Sequence, residues 1–160
     1  MKLLIVGAGG YGQLVKDIAE LTGQYDQIDF LDDNSNEAIG TIGELHVKQK
    51  EYDGCIVAIG NPAIRGKLFL EIDNPVSVIH PTAVISKRAV IGNGCVVEAN
   101  AVVSANALVK EASYICAGAI VNHNAVVNEC CQVDCNAVIS AGSHLHKGSK
   151  VDSNTVFNGK

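Results

Sequence analysis

The sequence predicts an α/β chain in two parts: a small Rossmann-like unit over residues 1–78, then a parallel β-helix of hexapeptide repeats over residues 79–160. Two observations carry that prediction. A glycine-rich turn, Gly7-Ala8-Gly9-Gly10-Tyr11-Gly12, follows an apolar run and opens a helical pattern. At Ile79 the alternation of strands and helices gives way to apolar residues at every sixth position, without insertion.

The first part reads element by element. LLIV (3–6) is a buried strand, and residues 11–22 place Leu14, Val15, Ile18 and Leu21 on one helical face. IDFL (28–31) is a second strand ending in Asp32-Asp33, and CIVAIG (55–60) is a third. A short helix follows from Pro62 through Leu70, VSVIH (76–80) leads into the repeat, and residues 34–53 read as loop with room for one short strand.

In the second part, stepping by six from Ile79 meets Ile85, Ile91, Val97, Val103, Val109, Ile115, Val121, Val127, Val133, Ile139, Leu145, Val151 and Phe157. Four residues after each comes a small one: Ala83, Ala89, Cys95, Ala101, Ala107, Ser113, Ala119, Ala125, Cys131, Ala137, Ser143, Ser149 and Thr155. That pattern is a prism of short strands with three hexads to a coil, the aliphatic residue pointing inward and the small one filling the crowded corner. Residues 18 apart then stack at the ordinary inter-strand spacing of about 4.8 Å. Gly92, Asn93, Gly94, Asn100, Asn106, Asn124, Asn128 and Asn136 fall between the aliphatic positions, where turns need relaxed φ.

Composition bounds the function. The 160 residues are 48% hydrophobic and only 18% charged, and the 12 basic residues are scattered within a net charge of −5. No basic face is present for nucleic acid, and aromatics at 4% without tryptophan provide no stacking platform. No apolar stretch approaches the roughly 20 residues of a membrane span. The chain enters a strand directly after Met1-Lys2 with no signal-peptide pattern, so a cytoplasmic protein is expected. Cys55, Cys95, Cys116, Cys130, Cys131 and Cys135 include no Cys-x-x-Cys pair, and a reducing compartment argues against disulfides. Cys95 and Cys131 occupy the small inward slot and read as core.

The glycine turn has the form G-x-G-x-x-G between strand and helix, where bare N–H groups and a helix N-terminus hold phosphate. Asp32 follows Gly12 by 20 residues, where a carboxylate meets a ribose hydroxyl. These features suit NAD as well as a nucleotide-sugar, although the unit has no second mononucleotide half. The competing reading is a glycine turn kept for helix–strand packing. His123 lies two residues past inward Val121, near a coil corner and outward, where an ordinary surface residue also fits. His144 and His146 would complete a three-histidine zinc site only across 21 residues and without a carboxylate, so no metal is expected.

The stretches IVGAGGYGQLVKDIAE, FLDD, VAIGNPAIR, VIHPTAVIS, AVIGNGCVV and IVNHNAVV resemble, in order and spacing, the hexapeptide-repeat acetyltransferases of bacterial surface-glycan and sialic acid biosynthesis. Those enzymes carry an N-terminal nucleotide-sugar-binding domain and acetylate UDP-amino-sugars or sialic acid. The resemblance implies a left-handed coil, a homotrimer, and acetyl-CoA in the groove between subunits. It implies that Gly7, Gly9, Gly10 and Gly12 hold the sugar-nucleotide diphosphate, with Tyr11 among the substrate-binding residues, that Asp32 and Asp33 face the uridine, and that Ile59, Gly60 and Asn61 close the pocket. His123 matches the catalytic base with Asn124 beside it, and Gln132 and Gly142 fall at acetyl-CoA positions. Three departures stand out. Asn124 replaces a usual Asp or Glu, which predicts slower turnover. Gln132 replaces a histidine, and the chain stops at Lys160 before the family's further coils, so a shortened prism is expected. The rival readings are a nucleotide-sugar-binding or scaffold protein that has lost catalysis, and a nicotinamide-binding unit fused to a trimerising prism.

Overall fold

The computed structural model describes residues 1–159. Strand β1 (Lys2–Val6) is the centre of a three-stranded parallel sheet, with β2 (Gln27–Leu31) on one side and β3 (Gly54–Val57) on the other. Residues 3–6 are fully buried, because helices cover both faces of a parallel sheet and its central strand must be apolar throughout. Helix α1 (Gly10–Thr22) packs Val15, Ile18 and Ala19 on the face that carries Leu3, Ile5 and Ile56, and ends at left-handed Gly23.

Residues 34–53, expected as loop, contain helix α2 (Leu45–Lys48) between two 3₁₀ turns, started by a capping box of Thr41 and Glu44. Four residues are too few to give a helical period in sequence, so the turn of helix is invisible there. Leu45 covers the second face of the sheet together with Leu68 and Ile72. Helix α3 (Pro62–Phe69) begins where expected: Asn61 Oδ1 accepts from the N–H groups of Ala63 and Ile64, and Pro62 occupies the first turn.

From Val78 the chain winds left-handed as a three-walled parallel β-helix. Wall one holds β4 (Val78–Ile79), β7 (Val96–Val97), β10 (Tyr114–Ile115), β13 (Gln132–Val133) and β16 (Lys150–Val151). Wall two holds β5 (Val84–Ile85), β8 (Val102–Val103), β11 (Ile120–Val121), β14 (Val138–Ile139) and β17 (Val156–Phe157). Wall three holds β6 (Val90–Ile91), β9 (Leu108–Val109), β12 (Val126–Val127) and β15 (His144–Leu145). Partners are 18 residues apart, as in Ile115 against Val97 and Val133. The second residue of each strand points inward, and the eight from Val97 to Ile139 are at most 1% exposed. Lys160, the last residue of the expected β-helix, lies outside the described residues.

The corners follow their own period. Every sixth residue from Gly94 to Asn154 has positive φ, through Asn100, Asn106, Ala112, Gly118, Asn124, Cys130, Asn136, Gly142 and Gly148. Gly92, Asn93 and Asn128, expected to need relaxed φ, do not adopt it; one fixed phase of the repeat takes the left-handed residue. Ala112 (φ 55°) and Cys130 (φ 59°) do so without the freedom of Gly or the local hydrogen bonding of Asn.

The N-terminal unit packs on wall one, where Val78, Val96 and Tyr114 join the core of Leu3, Ile5, Val15 and Ile18. Arg65, fully buried, fastens the two parts. Its Nε donates to the Ala112 carbonyl at 2.7 Å, Nη1 to Ile59 and Gly60 at 3.0 and 2.9 Å, and Nη2 to Cys130 and Cys131 at 2.7 and 3.3 Å. Charge-assisted bonds of this kind are the stronger ones. Two of them fall on Ala112 and Cys130, the corners whose side chains least favour the conformation they hold.

Candidate active site

The glycine turn separates by physical role. Gly7 has φ +107°, and a Cβ there would meet the Ala58 carbonyl at 2.8 Å; a Cβ on Gly12 would run into the Gly7 carbonyl. Packing accounts for both. A Cβ on Gly9, Gly10 or Gly60 would meet nothing within 4 Å, and none of the three has a positive φ. Their bare backbone therefore borders open space at the head of α1 and the end of β3, where a ligand can approach main-chain N–H groups.

Asp32 organises this turn. Its Oδ2 accepts from the Ala8 N–H at 2.8 Å, and its Oδ1 from Asn34 and Ser35 at 2.8 and 3.1 Å. Those backbone donors, Ala8 first, hold its carboxyl below the usual range. Asp33 accepts from the Ile42 N–H at 2.9 Å. Both expected uridine-facing carboxylates thus shape the loops around the turn. The Tyr11 ring stacks on Tyr114 with centroids 4.6 Å apart, and its buried Oη has no hydrogen-bond partner among the described residues. Burial pushes its ionisation up, followed by the nearby Cys116 and Glu98. An unmet buried hydroxyl costs about 1–3 kcal/mol. Ile59 donates its N–H to Tyr114 Oη at 3.2 Å, so Ile59, Gly60 and Asn61 sit beside the same turn, between β3 and α3.

His123 lies elsewhere, exposed on the edge between walls two and three. Asn124 Nδ2 is 3.2 Å from its Nδ1, and the Gly142 N–H donates to its carbonyl at 3.1 Å. Gly142 thus follows one coil on; its N–H is spent on the backbone, while a Cβ there would meet nothing within 4 Å. Gln132 is on wall one and donates to Asp134 Oδ1 at 2.6 Å, while Lys150 Nζ pairs with Asp134 Oδ2 at 2.9 Å. In a three-walled prism, the edge between walls two and three is opposite wall one. One chain therefore joins His123, Asn124 and Gly142, and separately the glycine turn with Tyr11, Asp32 and Ile59, but it does not join the two groups.

A groove of about 700 Å³ opens between α3 and the coils, lined by Phe69, Leu70, Glu111, Glu129, Cys130 and Lys147 among others, and by none of the expected site residues. Among the described residues no three His, Cys, Asp or Glu side chains are arranged to hold a metal ion, and no helix is long and apolar enough to cross a membrane. Sequence reasoning missed Arg65 and Tyr114. Tyr114 carries a signal: it is an aromatic at an outward strand position in an otherwise aliphatic or polar repeat. Arg65 lies within VAIGNPAIR, and nothing local distinguishes it from a solvated helix residue.

A small parallel α/β unit joined to a left-handed parallel β-helix is the architecture of the acetyltransferase structures to which the chain is similar, and it places the chain among the acyltransferases. Residues 2–72 match the family described as the PglD N-terminal domain. The chain is similar to the acetyltransferase domain of PglB from Neisseria gonorrhoeae FA1090, at 29% identity and TM-score 0.83 over 99% of this chain and 91% of that one. It is also similar to that domain in complex with acetyl coenzyme A, at 30% identity and TM-score 0.81 over 97% and 86%. PerB from Caulobacter crescentus, in complex with CoA and GDP-perosamine, shares the fold at 19% identity and TM-score 0.64 over 99% and 92%. No curated protein matches the chain in sequence. The chain belongs to the hexapeptide-repeat sugar acetyltransferases.

Proposed function

We propose that this protein transfers the acetyl group of acetyl-CoA to a nucleotide-activated amino sugar, of the UDP type, in surface-glycan or sialic acid biosynthesis. The observation that carries the reading is the chain-long similarity to a domain in complex with acetyl coenzyme A, joined to an exposed imidazole held by a neighbouring amide. The N-terminal part (1–78), as a small Rossmann-like half, binds the nucleotide-sugar at the open glycines Gly9, Gly10 and Gly60. The β-helix (79–160) binds the donor in a groove between two copies, with Gly142 from one prism and Gln132, on the opposite wall, from its neighbour.

The chemistry is direct. The acceptor nitrogen attacks the thioester carbonyl, His123 Nε2 takes the proton it loses, and the C–S bond breaks to release CoA. No acyl-enzyme cysteine is needed, which agrees with burial pushing the Cys95 thiol up to about 12. Asn124 orients the ring without the charge an acidic residue would add.

Because His123 and the glycine turn sit on opposite sides of one prism, the reading requires a second copy to bring them together. The outward columns of walls two and three support that assembly: Val84, Val90 and Val156 are 61%, 57% and 61% exposed, and Val102, Ile120 and Val138 continue the wall-two column. An apolar stripe of this length suits burial against a neighbouring prism in a homotrimer.

The test is calorimetric titration with acetyl-CoA, followed by acetyl transfer to a panel of UDP-amino-sugars. Binding near one site per subunit and transfer to one panel member are expected. His123→Ala should lower kcat by about 10²- to 10⁴-fold with nucleotide binding intact. Absence of donor binding at millimolar concentration would instead leave a nucleotide-sugar binder without catalysis.

A further inference from the structure

The geometry points to Asn106 as a positioning residue for His123, acting through Asn124 to decide which ring nitrogen carries the proton; the inference rests on the reading of His123 as the base. Asn106 and Asn124 hold the same corner one coil apart, both with φ 59°. Asn106 Nδ2 donates to Asn124 Oδ1 at 3.2 Å, and Asn124 Nδ2 lies 3.2 Å from His123 Nδ1. The next corner on that edge is Gly142, so the run of amides stops at the coil of His123.

An amide side chain has one accepting end and one donating end. With Oδ1 engaged by Asn106, Asn124 turns its NH₂ to His123, Nδ1 accepts, and a neutral ring keeps its hydrogen on Nε2. That tautomer has no free Nε2 lone pair for the acceptor's proton. The basic tautomer carries its hydrogen on Nδ1 and needs Asn124 Oδ1 as acceptor. Asn124 Nδ2 then faces Asn106, which must accept through its own Oδ1. The two amides turn together, and the residue at position 106 biases the ring. The corner alone does not require an amide there, since Gly, Ala and Cys hold equivalent corners at Gly118, Ala112 and Cys130.

Two substitutions separate the possibilities. Asn106→Asp offers only acceptors, so Asn124 must present Oδ1 to His123; Asn106→Gly removes the partner and suits a positive φ. Long-range ¹H–¹⁵N spectra of the histidine-labelled full chain, with His123→Gln to assign the ring, read the protonated nitrogen directly. Asn106→Asp should shift the ring toward the Nδ1–H form and raise kcat severalfold above the parental value. Asn106→Gly should leave mixed tautomers and give a kcat between those of the parent and Asn106→Asp, with KM for acetyl-CoA unchanged. Identical ring populations in all three proteins overturn the inference, as does a tautomer shift without any change in kcat while His123→Ala is inactive. Full activity of His123→Ala overturns the base reading and, with it, any catalytic consequence of Asn106, while the spectra still report whether the amides are coupled.

Discussion

The guanidinium of Arg65 lies 3.9 Å from the ring centre of Tyr114, at the seam where the N-terminal unit meets wall one. The two side chains grip the same loop from opposite parts of the chain. Arg65 donates to the carbonyls of Ile59 and Gly60, while Tyr114 Oη accepts from the Ile59 N–H and donates to the Val57 carbonyl at 2.6 Å. The cation over the ring adds attraction that strengthens where water is excluded.

Arg65→Lys should therefore destabilise the protein by about 2–4 kcal/mol, because a lysine has three donors on a flexible stem and cannot reach five carbonyls. Tyr114→Phe, which leaves the Val57 carbonyl and Ile59 N–H unmet, should cost about 1–3 kcal/mol. Urea denaturation compares the two. An Arg65→Lys protein within about 0.5 kcal/mol of the parent, the range of ordinary surface changes, would remove the fastening role.

The glycine turn gives a contrast between structure and ligand. Gly12→Ala forces a methyl into the Gly7 carbonyl and should disrupt the turn, seen as a lowered Tm. Gly10→Ala meets open space at the first position of α1 and should leave Tm unchanged or slightly raised. If Gly10→Ala binds UDP as tightly as the parent does, the turn is not the phosphate site.

Asp32 predicts a pH dependence. Its folded pKa is depressed by backbone donors, so its stabilisation is fully present above the unfolded value near 3.9 and is lost as pH falls through the lower folded value. The stability difference between the parent and Asp32→Asn should be constant above about pH 5 and shrink below it. Denaturation curves from pH 2.5 to 7, on the order of one per half unit, measure this; a difference independent of pH would rule out the charged carboxylate as the cause.

Thiol chemistry tests the core. Cys135 is exposed, whereas Cys55, Cys95, Cys116, Cys130 and Cys131 are buried. Burial pushes Cys55 and Cys95 up to about 12 and raises Cys116, Cys130 and Cys131. A disulfide reagent at about pH 8 should find one fast thiol per native chain and all six after denaturation. A second fast thiol would mean that the structure opens around one of the buried cysteines.

Much of this was legible in the chain of letters. The six-residue period determined the walls, the inward column from Ile79 to Phe157 and the small slots that Cys95 and Cys131 fill, because strand alternation and coil length are local properties. The glycine turn, the strands around it and the start of a helix at Pro62 were readable for the same reason. Sequence misjudged the corners at Gly92 and Asn128 because amide and glycine residues favour relaxed φ wherever they stand, whereas the coil admits it at one phase only. Tertiary structure alone decided which wall receives the N-terminal unit, that Arg65 closes the seam, and that Asp32 spends its carboxylate on Ala8. It also placed His123 on the edge opposite the glycine turn. These follow from which of three equivalent faces of the prism meets α1, and that choice is made by packing between residues far apart in sequence, such as Tyr114 against Tyr11.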